Sequence, residues 1–268
     1  MVNRRMRQVL TAQSEPADPG SRRERSEIWI ERSPRWVRAY FGGVAVADSK
    51  RVLLAFEPRR TPVYWFPIKD VRMDVLRPSD GPASSEVARW SMQVGDRVST
   101  NAAWSYPEPG PDRAQLSGHI AFYWNEMDSW YEEDDEIFVH ARDPYTRVDV
   151  LNSSRAVRVE VDGKVVAETK RPRLLFETGL PTRYYIPKQD VRMDLLERSE
   201  STTRCPYKGV ASYWSLRLGN KHYQDLVWSY EAPIPECPKI ENLLCFYNEK
   251  VDLYIDGERQ DRPHTHWS

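Results

Sequence analysis

The chain has no surplus of either charge: 39 basic side chains meet 40 acidic ones, for a formal net charge of -1. A nucleic-acid binder needs a basic surplus or stripe to displace counterions, so the balance argues against that class. No window supplies the ~18 consecutive apolar residues of a spanning helix, so no membrane partner is expected. Cysteine is scarce: Cys205, Cys237 and Cys245 all fall in the second half of the 268 residues. An odd number without C-x-x-C spacing fits a reduced compartment better than a disulfide framework. The start, Met1 to Glu27, has no apolar stretch of the secretory type, which leaves a cytoplasmic protein as the expectation. Close Cys or His pairs for zinc are missing too: His119, His140 and His222 are isolated, and His264-Thr265-His266 reads as a docked or frayed tail. No cofactor is expected.

What is present is a repeat. Phe66-Pro67-Ile68-Lys69-Asp70-Val71-Arg72-Met73-Asp74-Val75-Leu76 returns as Ile186-Pro187-Lys188-Gln189-Asp190-Val191-Arg192-Met193-Asp194-Leu195-Leu196. The separation, about one domain's length, signals a duplicated domain, and each copy is long enough to bury a core without staples. The expected division is a flexible tail over 1–26, a first repeat over 27–137, a connector over 138–154, a second repeat over 155–258 and a tail over 259–268. The two repeats are expected to pack side by side through the connector and the aromatic final strands.

No long helical periodicity occurs, and Gly and Pro punctuate short apolar runs, so both repeats read as mainly β. Val157 to Val161 alternates apolar and polar, and Asp162-Gly163 supplies a hairpin turn. Further turns fall at Gly42-Gly43, Gly95-Asp96 and Gly219-Asn220. Pro67 to Asp70 and Pro187 to Asp190 suit one helical turn. Beyond it, Val71, Met73 and Val75 alternate with Arg72 and Asp74, which predicts a strand with Arg and Asp paired on one face. The acidic run Glu132 to Glu136 reads as solvated.

The stretches Tyr184 to Leu196, Thr202-Thr203-Arg204-Cys205-Pro206-Tyr207-Lys208-Gly209, Tyr213-Trp214 and Trp228-Ser229-Tyr230 resemble the family known as domain of unknown function 427. The likeness covers nearly all of residues 155–258 and extends in weaker form to 36–137, so the chain looks like a tandem member. The resemblance implies a small β-tent-like domain of packed antiparallel sheets. A nucleotidyltransferase label has been attached to the family. The residues argue against that chemistry here, because no Gly-rich phosphate loop is present and Arg72/Asp74 and Arg192/Asp194 read as ion pairs.

Where the second repeat has Thr-Thr-x-Cys-Pro-Tyr-Lys-Gly, the first has Gly81-Pro82-Ala83-Ser84-Ser85-Glu86-Val87-Ala88. The thiol and the ammonium are lost, so any function of that loop belongs to the second repeat. Candidate ligand-binding residues are Tyr184, Tyr185, Arg192, Thr203, Cys205, Lys208, Tyr213, Trp228, Tyr230 and Tyr247. Their π-faces suit a planar or apolar ligand, and their phenols can orient it. Single aromatics at alternating strand positions also fill cores, but a set of polar-tipped ones is costly to bury unpaired. Cys205 and Lys208 form the sharpest chemical pair, yet the thiol has no His or carboxylate at fixed spacing to act as base. The expected function is a non-enzymatic small-molecule-binding module. The alternatives are an enzyme acting through Cys205 and Lys208, or a structural protein-interaction module.

Overall fold

The computed structural model describes residues 27–58, 60–79, 86–265 and 267–268. The expected tail over 1–26, the Gly81 to Ser85 loop and His266 lie outside them. Each half is a pair of antiparallel sheets, and the two halves repeat one topology. In the second half the larger sheet runs, edge to edge, Val148–Asn152, Arg173–Glu177, Arg183–Ile186, Leu244–Phe246, Lys221–Pro233, Gly209–Leu218 and Leu196–Cys205. The smaller runs Lys164–Thr169, Val157–Val161, Asp252–Ile255 and Glu258–Arg259. The first half uses the same orders, from Trp29–Arg32 to Leu76–Pro78 and from Val44–Ser49 to Asp135–Ile137. The chain is thus mainly β in two tandem domains. None of the described helices is long and apolar enough to cross a membrane.

Alternation makes the cores. Val157, Val159 and Val161 point inward from their strand, and Asp162 and Gly163 turn it with φ of 50° and 72°. The inward valines meet Ile186, Leu216, Val227 and Leu244 of the larger sheet, all essentially sealed from solvent. Fully burying one such aliphatic side chain contributes about 1.5–3 kcal/mol. A bulge is duplicated as well: Asn101 and Asp225 both take positive φ, and their backbone N–H groups donate to Ser91 and Ser215. It bends the long strand out of plane in each half.

The repeated signature proves to be a brace. Each Pro caps a short 3-10 turn, Ile68–Asp70 or Lys188–Asp190, as the sequence suggests. The strand expected after it does not form: Met73–Val75 and Met193–Leu195 are second 3-10 turns. Only Val71 and Val191 bridge, to Ala47 and Ala167 of the smaller sheets. Backbone N–H groups of Arg72 and Arg192 donate to Val46 and Val166, so this stretch ties one sheet to the other. Asp70 is held by Ser49 and Arg51, and Asp190 by Thr169 and Arg171. Arg72 still clasps Asp74, and Arg192 clasps Asp194, through two bonds each.

Other expectations need correction. Glu132 is not solvated: it sits 6% exposed, accepting from the Tyr64 hydroxyl and paired with Arg35. It alternates with Tyr131 on a strand whose inner face also buries Trp130, so one acid of the run is carried inward. Trp29–Arg32 forms an edge strand on Leu53–Phe56, and Val148–Asn152, inside the expected connector, does the same on Arg173–Glu177. The halves approach one another through the rest of the connector. Tyr145 donates to Glu31 at 2.7 Å, Asp143 N–H donates to the Tyr207 hydroxyl at 2.8 Å, and Arg204 lies over Phe138. The final strands His119–Phe122 and Leu244–Phe246, expected to share this contact, run through the middle of their sheets.

Candidate functional site

The halves differ in one limb. Leu196–Cys205, Gly209–Leu218 and Lys221–Pro233 span 10, 10 and 13 residues, where their counterparts Leu76–Pro78, Ala88–Val94 and Arg97–Ser105 span 3, 7 and 9. The extra length carries Thr203 and Cys205 at the end of the outermost strand and Lys208 in the turn that follows it, with Tyr230 on the long strand beside them. Gly209 closes the Cys205-to-Gly209 turn with φ of +105°, and a Cβ there would lie 3.3 Å from the Ala232 carbonyl oxygen. Only glycine takes that conformation without strain.

Behind this limb, on the face of the larger sheet turned away from the smaller one, lies a cavity of about 780 Å³. Tyr213, Trp228 and Tyr185 step across its floor, with the buried Cys245 as the cross-strand neighbour that links the last two. Tyr185, 1% exposed, accepts a bond from the Trp228 indole N–H at 3.1 Å. Tyr213 shares a hydrogen bond with Thr203 at 2.8 Å, at the rim. The ring of Tyr247 lies 4.6 Å from that of Trp228. Burial pushes the phenols of Tyr185, Tyr230 and Tyr247 well above the ordinary tyrosine range, so all three stay protonated.

Two buried ion pairs bound this floor. Arg183 and Glu249, 7% and 0% exposed at their side chains, form a two-bond fork at 2.7 and 2.8 Å. Burial alone would raise the Glu249 pKa, but Arg183 and the Thr265 hydroxyl reverse this and hold it at about 2. The Arg183 guanidinium also lies 5.6 Å from the Trp228 ring and 5.2 Å from Trp267. Lys208 pairs with Glu177, and Cys205 is the other neighbour that acts on its ammonium. Burial lowers the Lys208 pKa, but its two neighbours outweigh this and keep the amine charged. Burial pushes the Cys237 thiol up to about 11 and the Cys245 thiol up to about 12.

Of the ten candidate residues, Tyr185, Thr203, Cys205, Lys208, Tyr213, Trp228, Tyr230 and Tyr247 line this cavity. Tyr184 and Arg192 do not. Strand alternation turns Tyr184 toward the inter-sheet core, and Arg192 is exposed on the brace with Asp194. Sequence reasoning missed the other walls. Glu177 and Arg183 come from flanking strands, Tyr145 and Asp143 from the connector, Trp29 and Phe56 from the first half, and Trp267 from the C-terminal segment. The signal for the connector was its Asp-Pro-Tyr triplet. In the first half the equivalent face carries one larger ring: Trp65 replaces Tyr185, stacks on Tyr106 and meets Trp104 edge-on. No group of three or more potential metal ligands occurs among the described residues.

A family model described as Domain of unknown function (DUF427) matches residues 29–133 and again 149–257, one segment in each half. Its second segment begins inside the edge strand Val148–Asn152. No curated protein matches the chain.

Proposed function

The chain belongs to the DUF427 family through both of its halves, and from that premise we propose that it is a non-enzymatic small-molecule-binding module with its cavity built on the second half. One observation carries the reading. A cavity of about 780 Å³ lies within the ~300–1,000 Å³ range of ligand sites, and ten of the 29 described residues that line it are aromatic. Large rings with polar tips around an open volume suit a ligand better than a packed core, where the same rings would close the space, as Trp65 and Trp104 do in the first half. The duplication then has a division of labour: one half keeps the elongated limb, and the other lends a wall. A cytoplasmic location agrees with three free thiols.

The test is thermal unfolding across a metabolite library, with wild type beside Trp228→Ala. A ligand at ~100 times its Kd adds about 2.7 kcal/mol, roughly 5–10 °C in midpoint for a domain of this size. A compound that shifts wild type and not the variant supports the reading. A library that shifts neither overturns it and directs the search to protein partners.

A second reading, covalent chemistry at Cys205, draws on the ammonium of Lys208 beside the thiol. Turnover lost in Cys205→Ala and kept in Trp228→Ala would put it first.

A further inference from the structure

We propose that the cavity takes an uncharged, planar aromatic molecule bearing a hydrogen-bond acceptor, and discriminates against the phosphorylated form of the same molecule. This inference rests on the binding reading above. Its first support is charge. Among the described residues four basic side chains line the cavity, Arg60, Arg183, Arg204 and Lys208, against four acidic ones, Glu27, Glu57, Asp143 and Glu177. Three of the four cations are already engaged: Arg60 with Glu57, Arg183 with Glu249, Lys208 with Glu177. The fourth, Arg204, is exposed, with its guanidinium 4.4 Å above the Phe138 ring. A phosphate drawing on Arg183 or Lys208 would have to break a buried pair, which leaves a carboxylate buried without its partner. Among the described residues no glycine lines the cavity, so they form no Gly-rich phosphate loop.

The second support is shape. Trp29 stacks on Phe56 at 4.7 Å and leans on Tyr145 at 5.2 Å, forming an aromatic wall from the first half and the connector. Trp228, Tyr247 and Trp267 form another from the second half. Both walls line one cavity, and flat rings present their faces best to a flat ligand.

The third support is an unfilled valence. Tyr230 is 5% exposed and lines the cavity, yet its hydroxyl has no hydrogen-bond partner among the described residues. Burial keeps that phenol protonated, so it donates. A ring carbonyl or ring nitrogen supplies an acceptor for it inside the cavity, in place of water.

Calorimetry on the full chain with matched pairs tests this: adenosine and its monophosphate, riboflavin and its phosphate, pyridoxine and its phosphate. An uncharged member binding at least tenfold tighter than its phosphate, and weakened fivefold or more by Tyr230→Phe, is the expected result. The unliganded variant should melt no lower than wild type, which separates recognition from folding. A phosphorylated member binding more tightly, with the signal lost in Trp228→Ala, overturns the ligand class and leaves the cavity reading standing. The same holds if the only binders in the wider library are charged. If no pair and no library compound binds, both readings fall.

Discussion

Replacing Arg183 by Met should destabilise the second half by about 3–5 kcal/mol at neutral pH, because it strands the Glu249 carboxylate in a fully buried position. The pH dependence makes the prediction sharper. In the folded protein Glu249 titrates at about 2, below its usual carboxylate value. A folded pKa below the unfolded one contributes stability that is present above about pH 4.5 and lost as the pH falls toward 2. A fall from 4.5 to about 2 corresponds to about 3 kcal/mol. Without the guanidinium, burial, which raises the Glu249 pKa, is opposed by the Thr265 hydroxyl and a backbone hydrogen bond alone, so the carboxyl protonates at higher pH and the penalty relaxes. Urea unfolding of wild type and Arg183→Met between pH 7 and pH 3 should therefore show a gap that narrows steadily as acid is added. The double variant with Glu249→Gln should recover much of the loss at pH 7, since neither partner is left as a bare charge. A gap that stays constant across the range, or a double variant no better than the single, would refute the assignment of the pair as the cause.

Two further predictions concern the cavity wall and the brace. Cys205→Ala should keep ligand-induced stabilisation and cost under about 1 kcal/mol, and a thiol reagent should label Cys205 before Cys237 and Cys245, whose thiols burial holds protonated. Loss of ligand stabilisation in that variant would count against a purely binding role. Arg192→Ala removes an exposed pair and should change stability by under about 1 kcal/mol while leaving ligand affinity within twofold. A tenfold loss of affinity would return Arg192 to the site.

The turns and the duplication were legible because local chemistry decides them: Asp162-Gly163 accepts positive φ, and Pro67 and Pro187 start short helical turns. The stretch from Val71 to Val75 misled because five alternating residues cannot separate a strand from a bridge followed by a 3-10 turn. Arg and Asp two apart pair in both. Glu132 misled for a related reason: charge composition describes a run, whereas alternation on a strand assigns each member its own side. At the cavity, the floor could be read because Trp228 and Tyr230 alternate on one strand and Tyr185 and Tyr213 sit in other aromatic, strand-favouring runs of the second half. The walls could not. Glu249 lies 66 residues from Arg183, and Trp29, Phe56, Tyr145 and Trp267 reach the cavity only through the meeting of both halves, the connector and the C-terminal segment. Tyr184 and Arg192 were drawn in by proximity in sequence to that floor, and strand parity and the brace place them elsewhere.

The central claim is that the space between the second-half sheet and the first-half wall is a binding site. A crystal structure of the full chain grown with the compound that gives the largest thermal shift tests it most directly. The account predicts density for that compound within the cavity, in contact with Trp228 and within hydrogen-bond distance of the Tyr230 hydroxyl. Density for the compound at any other surface, with the cavity unoccupied, would contradict it.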